Sequence, residues 1–168
     1  KNMDTGPIYL TEEIDINPIE RSEELLDRLS IIGADLALRT ADLIAQNVPP
    51  SPQLNTGASV APKFRKSDGK LDWSMQIDQI LNQYRALAAN PGVWTMLGDL
   101  RLKIDGLRIS YGMKKIAPGS VVIEGEKLFI GAANGFIEIE KLTPAGRNQM
   151  SAGEFIRGLA KREGLSVG

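Results

Sequence analysis

Two sets of residues in this 168-residue sequence could do chemistry. The first is a single carboxylate, Asp4, in the segment Asp4-Thr5-Gly6-Pro7-Ile8. Asp followed closely by Gly is a common turn pattern, so by itself this acid specifies no reaction. The second set is cationic. Lys63, Arg65, Lys66 and Lys70 crowd an eight-residue loop, and Lys114 and Lys115 stand at another predicted loop. Arg101, Lys103 and Arg147 could share one face or rim of a β-rich region. Cations so grouped suit sequence-blind contacts to phosphates, and equally a solvated surface.

What is missing narrows the chemistry further. The sequence has no His and no Cys. Disulfides, thiol nucleophiles and thiolate metal sites are therefore excluded, as are an imidazole base and His-ligated zinc. No metal site is expected. Acid–base work must rest on carboxylates, Lys or Tyr, or on residues outside this chain. No apolar run approaches the roughly 18–20 residues that span a bilayer, and the first residues lack the apolar stretch of a signal peptide. The expectation is a cytoplasmic protein without membrane contact.

Net charge is −1, but it is unevenly spread. Residues 1–50 carry 4 basic and 10 acidic side chains, a net −6, whereas residues 51–168 carry 16 and 11, a net +5. The sign changes at Val48-Pro49-Pro50-Ser51-Pro52, whose prolines favour an extended connector. Two units with different partners would explain the asymmetry, as would chance clustering on two solvated faces.

The elements that must position these residues follow from periodicity. Pro7–Ile16 reads as a short strand and Asn17-Pro18 as a turn. Ser22 is a candidate N-cap, with Glu23 and Glu24 where a helix start favours negative charge. Leu25, Leu26, Leu29 and Ile32, then Leu36, Leu43 and Ile44, recur at helical spacing to about Asn47, with Gly33 marking a bend or a break. A second helix is expected over Ser74–Ala89, with Ile77, Ile80, Leu81, Tyr84 and Leu87 on one face. The period then changes. Val93–Leu97, Arg101–Ser110, Ser120–Glu124, Lys127–Gly131 and Phe136–Leu142 read as five short strands separated by Gly-containing turns, which suggests a small barrel or sandwich. Ser151 would cap a last helix reaching about Arg162. Of only 9 aromatic residues, Trp73, Trp94, Phe129, Phe136 and Phe155 sit in apolar settings and are expected in the core. That argues for recognition of a polyanion by backbone and shape rather than by rows of stacked bases.

Four motifs occur in order: Asp4-Thr5-Gly6-Pro7; Ala61-Pro62-Lys63 through Asp68-Gly69-Lys70 to Asp72-Trp73-Ser74; Arg85-Ala86-Leu87 followed by Pro91-Gly92-Val93-Trp94-Thr95; and Pro144-Ala145-Gly146-Arg147 with Met150-Ser151-Ala152 and Phe155. This succession resembles the carboxy-terminal part of the methionyl-tRNA formyltransferase family, from Asp4 to about Gly158. One departure is Ala88-Ala89-Asn90, where the family commonly has Asn-Pro-Trp. The resemblance implies an α+β chain in three parts. Residues 1–47 would be the strand-plus-helix remnant of a Rossmann-like catalytic domain, 48–70 a Pro-rich and basic linker, and 71–168 a small β-barrel of oligonucleotide-binding type.

The resemblance also implies formyl transfer from 10-formyltetrahydrofolate to the amino group of initiator methionyl-tRNA. The family's catalytic Asp maps onto Asp4, whereas its Asn and His lie upstream and have no counterpart here. In that chemistry the α-amine attacks the formyl carbon, hydrogen-bond donors stabilise the oxyanion, and a carboxylate relays the amine proton to the folate nitrogen. A chain with the Asp alone is expected to be inactive by itself. The basic residues, Lys63–Lys70 foremost, would line the tRNA path. Two other readings stay open: a module of a related small-molecule formyltransferase or hydrolase, and a stand-alone RNA-binding domain. Residues 1–50 would bare an apolar face, so self-association through them is expected.

Overall fold

The computed structural model describes residues 4–54, 57–109 and 116–168. The chain is α+β and packs as two compact units, Lys1–Lys63 and Phe64–Gly168. Residues 64–70, assigned above to the linker, pack with the second unit.

The first unit is built on helix α1, Ser22–Ala45. It starts with Arg21 rather than Ser22 as the cap residue, because the Glu24 carboxylate, three residues on, accepts the Arg21 N–H at 2.8 Å. Glu23 and Glu24 occupy the first turn, facing the positive end of the helix dipole. Gly33 interrupts nothing; the helix is continuous. Asn47 ends it in the left-handed region, at φ 56°. The Asn47 N–H then reaches the Ile44 carbonyl and the Val48 N–H the Leu43 carbonyl, both at 3.0 Å, which satisfies two terminal acceptors. The expected strand over Pro7–Ile16 does not form. A strand needs a partner along its length, and only Ile8 finds one, exchanging two 2.8 Å hydrogen bonds with Ser51. None of the α1 side chains is buried.

The second unit is an antiparallel sheet with two short helices. After a 3-10 turn over Lys66–Gly69 come helix α2 (Ile77–Leu87) and strands β1 (Val93–Leu97), β2 (Leu100–Ile109), β3 (Val121–Glu124), β4 (Lys127–Ala132), β5 (Gly135–Pro144) and β6 (Met150–Ser151), then helix α3 (Ala152–Arg157). The strand order is β1-β2-β5-β4-β3, with β6 on β5. At one end, the carboxy-terminal residues cross from one edge to the other. Val167 bridges Leu97 and Ser166 bridges Ser120, while the Gly168 N–H reaches the Met96 carbonyl and the Val121 N–H the Leu165 carbonyl, each at 3.0 Å. Both edge strands thereby lose part of their unpaired backbone.

Strand alternation decides which face is core. Val93 and Thr95 of β1, Leu102 and Ile104 of β2, and Leu142 of β5 are almost fully buried, together with Ile77, Ile80, Tyr84 and Leu87 of α2. A bulge at Asp105 shifts the phase of β2, so that Leu107 and Ile109 continue the inward row. The helix α2 is shorter than expected at both ends. The Asn134 side chain, from the β4–β5 turn, accepts the Ile77 N–H at 2.8 Å and caps it. Phe129 and Phe136 pack edge-to-face, 5.7 Å between ring centroids, in a smaller cluster with Ile116. Among the described residues, no helix is long and apolar enough to cross a membrane.

Candidate nucleic-acid interface

The basic loop is held by its backbone, which frees its side chains. The Asp68 carboxylate accepts the Arg65 N–H at 2.6 Å and so closes the 3-10 turn. Gln83 of α2 donates to the Asp68 and Lys70 carbonyls at 2.7 and 3.0 Å. On the other side, the Trp94 indole N–H donates to the Lys66 carbonyl at 2.9 Å, and the Leu71 N–H donates to the Trp94 carbonyl at 2.8 Å. Lys66 and Lys70 remain exposed.

The sheet supplies the rest. Trp94 pairs with Lys103 across β1 and β2, and Lys103 pairs with Thr143 across β2 and β5, so the three side chains stand in one row on the face away from the core. Met96 and Arg101 pair on the same face. The Arg101 guanidinium lies 4.2 Å from the centroid of the Trp94 ring, and the Lys70 ammonium 5.9 Å from it, both within cation–π range. Lys103 contacts the Asp105 carboxylate at 2.8 Å, and Thr143 donates its hydroxyl to the same carboxylate at 2.6 Å. The Asp105 carbonyl, released from the ladder at the bulge, accepts the Tyr84 hydroxyl at 2.9 Å. Arg147 follows in the turn closed by its own N–H on the Pro144 carbonyl. A groove of about 300 Å³ is lined by Trp94, Arg101, Lys103, Thr143 and the 144–147 turn.

These cations differ from five of the arginines elsewhere in the chain. Arg21, Arg28, Arg39, Arg108 and Arg157 each pair with a carboxylate. Lys70, Arg101 and Arg147 have no carboxylate partner among the described residues, and Lys103 alone of the groove cations does. Of the nearby acids, Asp68 accepts from Arg65, and Asp72 accepts the Ser74 hydroxyl and N–H, which together with a weaker attraction from Lys70 hold its carboxyl below the usual range. The result is a face with net positive charge and little internal compensation.

Of the residues singled out from the sequence, Lys70, Arg101, Lys103 and Arg147 gather around Trp94, with Lys66 tied to the same indole through its carbonyl. Arg65 is exposed beside Lys66. Lys63 belongs to the first unit, and Lys114 and Lys115 lie outside the described residues. Trp94 was expected in the core and is not. Its ring is partly exposed because Val93 and Thr95 on either side take the inward positions. It is the site residue that sequence reasoning missed, and the alternation of β1 was the available signal.

Asp4 sits exposed in the first unit at φ 60°. Gln53 donates to the Asp4 and Gly6 carbonyls at 3.0 and 2.6 Å, which fixes the turn and not the carboxylate. The groove in that unit, about 370 Å³, is lined by residues 8–11 and 51–54 and does not include Asp4. Among the described residues no three His, Cys, Asp or Glu side chains gather as metal ligands.

Comparison with known proteins adds the following. Residues 63–160 match the family described as formyl transferase, C-terminal domain. The chain is 32% identical over 165 residues to a methionyl-tRNA formyltransferase of Pseudarthrobacter chlorophenolicus, covering 98% of this chain and 54% of that protein. It is 33% identical over 161 residues to the methionyl-tRNA formyltransferase of Mycobacterium tuberculosis (strain ATCC 25177 / H37Ra), covering 94% and 52%. The chain thus spans about half the length of the curated relatives it matches. In fold it resembles HypX from Aquifex aeolicus, with a TM-score of 0.72 at 16% identity over 95% of this chain and 30% of that one. A HypX structure in complex with tetrahydrofolic acid gives a TM-score of 0.67 at 17% identity, covering 95% and 29%.

Proposed function

Because the chain belongs to the formyl transferase C-terminal domain family, we propose that it is the RNA-holding portion of a methionyl-tRNA formyltransferase. That enzyme would move a formyl group from 10-formyltetrahydrofolate to the amine of initiator methionyl-tRNA during translation initiation in the cytoplasm. The full-length relatives support the reaction. The observation that carries the RNA role is the set of unpaired cations, Lys70, Arg101 and Arg147, around the partly exposed Trp94. In this reading the second unit is a barrel of oligonucleotide-binding type. Arg65 and Lys66 extend the contact surface, and Lys63, Lys114 and Lys115 would also meet tRNA phosphates.

The first unit would be the end of a Rossmann-like catalytic domain, with residues from Val48 onward leading to the barrel. Asp4 would take the proton released by the attacking amine. In this reading the oxyanion donors and the folate pocket would lie in the rest of the parent enzyme, where the family's Asn and His map. The exposed apolar residues of α1 support cover by another surface, which in the isolated chain would be a second copy.

The test is a filter-binding titration of the 168-residue chain with tRNA at two salt concentrations. Affinity should fall as salt rises. Converting Lys70, Arg101 and Arg147 to Ala should reduce the slope of log K against log salt by roughly 0.7–0.9 for each phosphate left without its cation. An unchanged slope would remove this face from the interface. The chain alone, supplied with both substrates, should form no formylmethionyl-tRNA. A parent enzyme that formylates a small amine but not methionyl-tRNA would favour the small-molecule reading instead.

A further inference from the structure

The groove beside Trp94 has dimensions and chemistry that charge alone does not explain. At about 300 Å³ it lies at the low end of small-ligand pockets, which run from roughly 300 to 1,000 Å³. That is room for one nucleotide unit and not for a double helix. Its most distinctive wall is a cation–π pair. The Arg101 guanidinium rests on the Trp94 ring, 4.2 Å from the centroid, and Arg101 itself is exposed. With its guanidinium over the indole and its side chain exposed, Arg101 also presents surface to solvent. Arg planes of this kind accept an unstacked base. No carboxylate among the described residues ties Arg101 to a different orientation.

The remaining cations are sorted by their partners. Lys103 is drawn to Asp105, whose carboxylate is buried and also accepts from Thr143. Its ammonium is thus pinned and partly neutralised. Arg147 has no carboxylate partner among the described residues, and Lys70 stands near the Trp94 ring outside the groove lining. The groove therefore joins a cation–π surface, a pinned and partly neutralised ammonium, and one free guanidinium, that of Arg147.

From this arrangement we infer that the groove receives a single unpaired nucleotide, its base against Arg101 backed by Trp94 and its phosphate met by Arg147. The inference rests on the reading of this face as an RNA surface, and it specifies the feature read there: an unstacked nucleotide rather than the phosphates of a stem. One stacking position agrees with the low aromatic content of the chain, which cannot supply a row of them.

Trp94 also provides the readout, because it is partly exposed whereas Trp73 is buried against Thr95. Titration of the full chain with single-stranded tetra-adenylate should quench tryptophan fluorescence saturably, and the Trp94→Phe variant should lose that signal. Arg101→Lys keeps the charge and gives up the plane. It should bind tetra-adenylate about tenfold more weakly, near the lower end of measured base-stacking effects, with an unchanged salt slope. Circular dichroism confirms that each variant is folded. The inference fails if Arg101→Lys binds tetra-adenylate as tightly as the parent, or if a blunt, fully paired RNA duplex displaces tetra-adenylate at equal or lower concentration. Retention of tRNA on filters separates the two levels. Retention by the parent with no loss in Arg101→Lys would overturn the single-nucleotide site and leave the RNA surface standing. Tetra-adenylate binding without tRNA retention would support the site and count against the tRNA reading.

Discussion

Gly69 and Gly92 meet backbone to backbone: a Cβ added at Gly69 would overlap the Gly92 carbonyl oxygen. This contact lets the basic 3-10 turn lie directly against the start of β1, so that Lys66 and Lys70 arrive beside Trp94. Gly69 is buried although the residues around it are exposed. Close backbone approach of this kind is open only to glycine.

Gly69→Ala should therefore shift the 66–70 turn off β1. The obstacle is backbone and cannot rotate away, so a cost of about 1–3 kcal/mol is expected, as for overpacking. Urea denaturation would show the loss of stability, and the tRNA salt slope should fall with it. A variant as stable as the parent would mean that the turn is held chiefly by Gln83 and Trp94.

Trp73 and Thr95 form a buried hydrogen bond, indole N–H to hydroxyl at 2.9 Å, with the two residues 3% and 0% exposed. Thr95→Val keeps the shape and removes the acceptor. The stranded indole N–H should cost about 1–3 kcal/mol, read as a lower urea midpoint with an unchanged denaturant slope. RNA binding should survive, because the bond lies on the core side of β1.

Glu154 caps α3 by accepting the Ser151 N–H at 2.7 Å and hydroxyl at 2.8 Å, while its own N–H donates to Ser151 at 3.2 Å. The Ser151 N–H first, then the hydroxyl, hold the Glu154 carboxyl below its ordinary value. A carboxyl lowered on folding contributes stability that is complete above its unfolded pKa of about 4.3 and is lost as pH falls through the depressed value. The amide of Glu154→Gln does not titrate. The stability gap between parent and variant should thus narrow from about pH 6 to about pH 3. Urea midpoints at the two pH values would show this, and a gap that stays constant would assign the cap to its neutral hydrogen bonds.

Ile31 and Leu38, seven residues apart on one side of α1, are 73% and 72% exposed. If a second copy covers them in the isolated chain, sedimentation should report a mass above the monomer's, and Ile31→Ser with Leu38→Ser should restore the monomer. A monomeric parent would leave this helix to another surface of the full enzyme.

Much of the second unit was legible because its signals are local. β1 begins and ends where the turn residues Pro91-Gly92 and Gly98-Asp99 place it, and β2 to β5 depart from their expected bounds by two residues at most. Ser151 caps α3 through its hydroxyl, as its type suggests. β6 escaped notice because two residues have no period. Pro7–Ile16 misled because strand character in a sequence says nothing about whether a partner strand lies alongside.

For the candidate site, residue types and their grouping indicated a cationic surface, and no more. Which cations share a face was set by cross-strand register, a long-range property: Lys103 stands between Trp94 and Thr143 only because β2 pairs with both β1 and β5. Which cations keep a free charge was set by where the carboxylates point, and that too depends on contacts between residues distant in the chain. The amino-acid sequence determined the elements, the family and the excess of positive charge after residue 50, since propensity, turn chemistry and composition act locally. The alternation of β1 already set Trp94 opposite Val93 and Thr95, but tertiary structure alone set Arg101 upon it, because strand pairing decides which side chains from distant segments share a face.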